Sequence, residues 1–346
     1  MANNNKELSY PIDFVVTWLD SSDKHWQDDY SKYKGETKTG DQTEARFRNW
    51  NLFRYWFRAV ENFAPWVNKV FLVTNGKFPD WINRDNQKLV LVEHKDYIPA
   101  KFLPTFNSCT IELYMHRIPG LSEHFVYFND DSFINGPLDP DYYFREGLPC
   151  DSNCENIFSV PIYDKVYKFG IYPSLLTNIG VINASFNRWN TVKQSWKRWI
   201  GPHLGLQGIL TSLMLARQSR FVGFNWRHFE QPFLKTTFYE AWNASQDILE
   251  ESSTRFREEI TLNPYFFRYW QFATNRFYPV KLNEAKHFRI RRGNASKILN
   301  SIRDQHIKSL CINDTPFCTQ EDFIYLKAIL IQAFENKFPH KSTFEV

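Results

Sequence analysis

Residues 116–131 read HRIPGLSEHFVYFNDD, and this stretch decides the fold. Phe125, Val126, Tyr127 and Phe128 are aromatic or β-branched and spell a short buried strand. It stops abruptly on Asn129, Asp130 and Asp131. Adjacent carboxylates repel each other, so an apolar strand that runs into two of them needs a counter-charge at its tip. In open α/β sheets the ligand crevice lies beyond the carboxyl ends of the strands. A divalent cation shared with a nucleotide diphosphate would use hard oxygens of this kind, which makes Asp130 and Asp131 candidate metal ligands. The plainer alternative is a solvated turn built from its usual Asn and Asp residues.

Upstream, Ile12–Trp18 (IDFVVTW) is a near-continuous apolar run, as in a strand buried on both faces. Asp13 lies inside it, where a carboxylate is costly unless paired, hydrogen-bonded or near a metal. Residues 69–74 (KVFLVT) and 89–93 (LVLVE) are further strands, with Asn75-Gly76 turning the chain between them. Phe47, Trp50, Phe53, Phe57 and Val60 recur at helical spacing and predict a helix over 45–63, stopped by Pro65. Arg54 and Arg58 on it read as solvated or snorkelling, whereas Arg46 and Arg48 at its start could reach an anion. The polar, lysine-bearing residues 21–40 read as a surface loop. A helix over 109–117 follows, with Asn107 or Ser108 as its N-cap. This alternation predicts an α/β fold with a doubly wound, mostly parallel sheet. Asp13, Asn75 and Asp130 all fall at or near sheet positions from which side chains could converge on one crevice.

Beyond residue 136 the pattern loosens. Residues 137–149 read as a loop, and 174–181 as a segment that could return to the sheet. Residues 187–199 are helical, as are 264–272. The cluster FNWRHFEQP at 224–232 gathers His228, Arg227 and Glu230 beside a proline. Arg255 and Arg257 could fork onto phosphate oxygens, although pairing of Arg255 with Glu259 is an equally ordinary reading. The basic run 281–303 reads as a solvated face or as a contact for an anionic acceptor or lipid head-groups. Leu310–Asp314 (LCIND) again ends an apolar segment in Asn-Asp, and Thr319 opens a long packing helix.

Composition narrows the function. The 346 residues carry 42 Lys and Arg against 38 Asp and Glu, a formal +4. That is too weak a bias for a nucleic-acid partner and suits an anionic small substrate or a membrane-surface encounter. Five cysteines, an odd number with no secretory signal before them, are expected as reduced thiols in the cytoplasm.

The blocks IDFVVTWLDSSD, RFRNWNLFRYWFRAVENFAPWVNKVFLVTNG and HKDYIPAKFLPTFNSCTIELYMHRIPGLSEHFVYFNDD resemble the first two conserved blocks of the Stealth family. HFEQP with RFREE resembles the third, and CIND the fourth. The resemblance implies a fold similar to nucleotide-sugar glycosyltransferases, with helical additions in the C-terminal half. The sheet falls in the first 150 residues and the remainder decorates it, so 1–346 read as one catalytic unit, with 1–150 as the expected nucleotide-sugar-binding core and 151–346 completing it and facing the acceptor. The resemblance implies transfer of hexose 1-phosphate from a UDP-sugar to a glycan or lipid-linked oligosaccharide hydroxyl, with Mg2+ or Mn2+ and release of UMP. Carried over, it places Asp13 and Trp18 in the first block, Arg48, Asn107, Asn129, Asp130 and Asp131 in the second, His228, Arg255 and Arg257 in the third, and Asn313 and Asp314 in the fourth. Asp130, Asp131 and Asp314 are then the expected metal ligands. Trp18, Arg48, Asn75, Asn107, Asn129 and Asn313 are expected to bind substrate. His228, whose ordinary pKa is near neutrality, is the first candidate base, with Asp13 or Asp314 as alternatives and Arg255 and Arg257 as phosphoryl clamps. Two positions depart from the family pattern: Ser21 follows Asp20 where a Gly is usual, and Glu230 replaces the first Pro of His-x-Pro-Gln-Pro. The competing expectations are a glycosyltransferase of similar fold, which would release UDP, and a non-catalytic glycan-binding module.

Overall fold

β1 (Ile12–Thr17) faces apolar surroundings on both sides, which accounts for its unbroken hydrophobicity. Ile12, Phe14 and Val16 enter one core together with α2 (Phe53–Phe63), and Val15 enters a second. The computed structural model describes residues 9–36, 48–156, 171–258 and 260–346. The expectations for Arg46, the ends of the 21–40 and 45–63 segments, residues 157–170 and an Arg255–Glu259 pair lie outside the described residues.

β1 runs parallel to both β2 (Val70–Thr74) and β4 (His124–Phe128), and β2 runs parallel to β3 (Leu89–Glu93). β8 (Gln231–Leu234) closes the far edge antiparallel to β4. The order β3-β2-β1-β4-β8 reverses its winding between β1 and β4. The fold is therefore α/β with a doubly wound, mostly parallel sheet, and its ligand crevice belongs at that reversal. α3 (Ser108–Leu113), α8 (Lys235–Glu251) and α9 (Tyr265–Ala273) cover the face that carries Phe125 and Tyr127. α10 (Ala295–Arg303) and α11 (Gln320–Lys337) join α2 on the other face. Past the aspartates, β5 (Ser132–Ile134) pairs antiparallel with β11 (Ser309–Asn313), which is parallel to β10 (Ala285–Arg289). Among the described residues no helix is long and apolar enough to cross a membrane.

Several local expectations are corrected. The supposed loop at 21–40 contains α1 (Lys24–Tyr33), because Asp23 caps it by accepting from the Trp26 N–H at 3.0 Å. Trp26 and Tyr30, one turn apart, anchor that helix on Phe106. α2 begins at Phe53 rather than at 45, since Asn51 takes φ +57, a left-handed conformation that interrupts a helix. Arg48 consequently lies outside the helix. Arg58 does not snorkel: its guanidinium is buried against Glu345, with Nε donating at 2.8 Å. Residues 137–149 are not all loop, since β6 (Phe144–Arg145) and β7 (Leu148–Asp151) form a hairpin around Glu146 and Gly147, both at positive φ, and β7 pairs with β9 (Tyr278–Pro279). Residues 174–181 do not return to the sheet. They lie in α4 (Tyr172–Ser185), whose Leu175, Ile179 and Ile182 recur at helical spacing and are buried beside α9. Glu230, the departure in the third block, is buried and accepts from the Ser309 hydroxyl at 2.5 Å and the Tyr143 hydroxyl at 3.3 Å. It ties the segment before β8 to β11.

Asp13 is the clearest case of a site expectation that the fold absorbs. It is the second residue of β1, at the amino end of the sheet, opposite the crevice. Its carboxylate accepts from Asn68 Nδ2 at 2.8 Å, the Lys69 N–H at 3.1 Å and the Ser122 N–H at 2.8 Å. Asp13→Ala is expected to destabilise the fold by about 3 kcal/mol by orphaning these donors. Asp13→Asn, which keeps one acceptor oxygen, should cost less in urea unfolding. A residue serving the crevice alone would leave both values unchanged.

Candidate active site

The tips of β1 and β4 meet in one cleft. Thr17, Trp18 and Leu19 leave β1 and Asn129, Asp130 and Asp131 leave β4, all lining a cavity of about 430 Å³. Arg48, Asn313 and Asp314 line the same cavity, as do Ser108, His228 and Arg257. Trp18 stacks on Phe53 with centroids 5.9 Å apart, which fixes the indole at the rim.

The two aspartates are held differently. Asp131 accepts from Asn313 Nδ2 at 2.7 Å and lies 3.2 Å from His228 Nε2. Burial would raise its pKa, but the His228 charge and these hydrogen bonds hold it below the ordinary carboxylate range. For His228, burial pulls the imidazole down, and the Asp131 charge and hydrogen bond more than reverse that, so its pKa is raised. Asp130 is exposed to the cleft and bonds to no other described residue. Its pKa is pushed up, first by the protein enclosing the cleft and then by the Asp131 charge, and solvent in the cleft tempers both effects. Asp131, His228 and Cys311 also bring a carboxylate oxygen, a ring nitrogen and a sulfur within 4.8 Å of one another. Asp314 is already engaged: it accepts from Trp50 Nε1 at 3.2 Å and the Thr315 N–H at 2.6 Å, and lies 3.6 Å from Arg48 Nη1.

A second cavity of about 260 Å³ adjoins the first, and Ser108, Asn129, His228 and Arg257 line both. Arg257 donates to Ser108 Oγ at 2.6 Å. Ser108 and Glu112 are one turn apart on α3, so both face this cavity. Glu112 is buried, and that burial pushes its carboxyl up to about 7 against the pull of Arg257, Tyr127 and His228. Tyr127 donates to Asn129 Oδ1 at 2.7 Å, linking the acidic tip to the second cavity.

The structure thus brings Trp18, Arg48, Asn129, Asp130, Asp131, His228, Arg257, Asn313 and Asp314 to one cleft. It does not bring Asp13, Asn75, Asn107 or Arg255 to its lining. Asn75 follows β2, with its Oδ1 buried and unpartnered. Asn107 caps α3 by accepting from the Cys109 N–H at 3.1 Å, and its Nδ2 donates to Thr254 Oγ1 at 3.1 Å. Arg255 donates through Nε to the Pro104 carbonyl at 3.0 Å and stacks over Tyr33. Both therefore hold the loop that delivers Arg257. Glu112 was missed, because a lone Glu on a short helix reads as an electrostatic complement to the helix start. The available signal was its spacing of four from Ser108 on a helix that carries no other charge.

Comparison with known proteins identifies the chain. Residues 46–150 match the model of Stealth protein CR2, conserved region 2. The chain is 36% identical over 337 residues to a capsular polysaccharide phosphotransferase, WcwK, of Streptococcus pneumoniae, spanning 96% of this chain and 98% of that one. It is 38% identical over 340 residues to the exopolysaccharide phosphotransferase cps2G of Lactiplantibacillus plantarum, spanning 97% and 96%. Among solved structures, a galactosyltransferase, LgtC, in complex with donor and acceptor sugar analogues gives a TM-score of 0.40 at 8% identity, over 96% of this chain and 98% of that one. The two phosphotransferase relatives, each matched over nearly its full length, define a transferase of polysaccharide phosphotransferase type. The chain belongs to the Stealth family.

The His228–Asp131 contact makes a direct prediction. In a proton NMR titration His228 should titrate above about 6.5, the ordinary imidazole value. In Asp131→Asn it should titrate lower than in the parent, since the Glu112 charge is then the main influence left to oppose burial. An unchanged titration in the variant would show that Asp131 does not set the imidazole charge.

Proposed function

We propose that this chain transfers hexose 1-phosphate from a UDP-sugar to a hydroxyl of an acceptor glycan in capsular or exopolysaccharide synthesis, forming a phosphodiester and releasing UMP. The relatives support phosphotransfer in such synthesis. The observation that carries the finer reading is the pair of adjoining cavities with His228 and Arg257 common to both. The first, carrying the acidic tip, suits a nucleotide diphosphate. The second, carrying Glu112, suits the incoming hydroxyl.

Asp130 and Asp131 fit a hard divalent cation, Mg2+ or Mn2+: they are adjacent oxygen donors, and the outer one is uncommitted. Such a cation, when bound, neutralises charge on the diphosphate oxygens. Asp314, committed to Trp50, Thr315 and Arg48, is the poorer ligand. In this reading the acceptor oxygen bonds to the phosphorus that bears the sugar, and the phosphoanhydride bond to the uridine-side phosphate breaks. The electron pair leaves with UMP. Glu112, pushed to about 7, takes the hydroxyl proton. Asp131 favours the cationic form of His228, which with Arg257 offsets charge on the migrating phosphoryl group.

The released nucleotide tests the reaction. Purified chain with UDP-N-acetylglucosamine, acceptor oligosaccharide and Mn2+ should yield UMP and a phosphorus-bearing product by chromatography and 31P NMR. Release of UDP with a phosphorus-free glycoside would overturn the proposal. Chelation and Asp130→Ala should each abolish turnover. Glu112→Gln should lower kcat by about 10²–10⁴-fold. Since an ionised Glu112 is the active form here, activity should fall below about pH 7 in the parent, and at saturating Mn2+, which keeps Asp130 ionised, this acid limb should vanish in Glu112→Gln.

A further inference from the structure

α7 (Gly205–Met214) is built inside out. Leu206, Leu210, Leu213 and Met214, spaced i, i+4, i+7 and i+8, form one helical stripe, and they are 76%, 52%, 54% and 80% exposed. The small residues Gly208 and Ser212 face inward. Gly208 sits so close to its surroundings that a Cβ there would lie 2.9 Å from Leu204 Cβ and 3.2 Å from Cys154 Sγ. A surface helix that served only the fold would carry the opposite pattern. No residue of α7 is charged.

The two helices that precede α7 carry further exposed aromatic side chains. Trp189 in α5 (Arg188–Gln194) is 50% exposed and Trp196 in α6 (Trp196–Trp199) is 57% exposed. Arg188 fastens α5 to the end of α7, its N–H donating to the Ser219 carbonyl at 2.9 Å and its Nη1 to the Leu215 carbonyl at 2.6 Å. Exposed Lys193, Lys197, Arg217 and Arg220 accompany the apolar side chains. Residues 171–229 contain seven Lys and Arg and no Asp or Glu.

We propose that the α5–α7 face seats the protein on an anionic bilayer surface. The leucines, Met214 and the two tryptophans enter the boundary between head-groups and acyl chains, and the four exposed cations meet lipid phosphates. A second copy of the chain fits less well, because a self-complementary contact would set these cations against one another with no carboxylate from this stretch to answer them. The bilayer answers both the apolar and the basic half of the surface. The basic run at 281–303 is a weaker seat, since Arg292 is taken up by Glu321 and Asp322 at 3.4 and 3.5 Å. The inference rests on the surface alone and is independent of the proposed reaction.

Flotation of the full chain with phosphatidylcholine vesicles, with and without phosphatidylglycerol, tests it. The parent should float with the anionic vesicles, with a blue shift in tryptophan emission, and weakly with the neutral ones. The triple variant Leu206→Gln, Leu210→Gln, Met214→Gln alters only exposed side chains, so its circular dichroism and melting temperature should match the parent. Its vesicle affinity should fall by at least about tenfold. Lys193→Gln, Lys197→Gln, Arg217→Gln should remove the preference for anionic lipid. A parent that does not float, a triple variant that floats as well as the parent, or equal binding to both vesicle types overturns the proposal. A parent dimer in sedimentation that the triple variant breaks into monomers would assign the face to a second copy instead.

Discussion

The carboxylate of Asp131 ties together three segments that lie far apart in the sequence. It follows β4, receives His228 from the segment before β8, and receives Asn313 from the end of β11. Its backbone carbonyl also accepts from the Ile312 N–H at 2.9 Å, beside the pairing of β5 with β11. Putting a carboxylate there costs free energy unless the charge is answered. The imidazole and the amide supply that answer, and in doing so they fix where the C-terminal half sits against the strand tips. Asp130, one residue away, gets no such partner and is left facing the cleft. Two neighbouring residues of one type thus differ in how firmly they are held: Asp131 by its partners, Asp130 by none of the described residues.

Buried arginine pairs hold the other joints. Arg268 clasps Asp151 through Nε at 2.6 Å and Nη2 at 2.8 Å, and Arg188 clasps Glu155 through Nε at 2.7 Å and Nη2 at 2.6 Å. Each of these forks is bidentate, so geometry as well as charge is specified. They hold α9 and α5 to the chain just past the hairpin. A core rich in Phe, Tyr and Trp provides cohesion, while these polar joints decide which surfaces meet.

Much of the central sheet was readable because its signal is local. Strands such as VFLVT and LVLVE are apolar throughout, as burial on two faces requires, and the carboxyl-end rule pointed to Asp130 and Asp131 from composition alone. What failed depended on partners distant in sequence. Asp13 looked like a site carboxylate because the donors that satisfy it, at Asn68, Lys69 and Ser122, are brought to it by folding. Asn107 and Arg255 looked like ligands because they fall inside family blocks, yet both act one step back, shaping the loop that carries Arg257. α1 was hidden by its charge, with two aromatic side chains one turn apart marking its packed side. Glu112 gave no sequence signal stronger than its spacing from Ser108, because its chemistry comes from being enclosed.

The partition between the two cavities is thin: His228 and Arg257 serve both sides, and Arg257 is steadied by Ser108, which also touches each. Neither shared side chain is loose, since Asp131 holds the imidazole and Ser108 the guanidinium. Moving either one would reshape both compartments at once, so neither hollow can be widened without redrawing its neighbour.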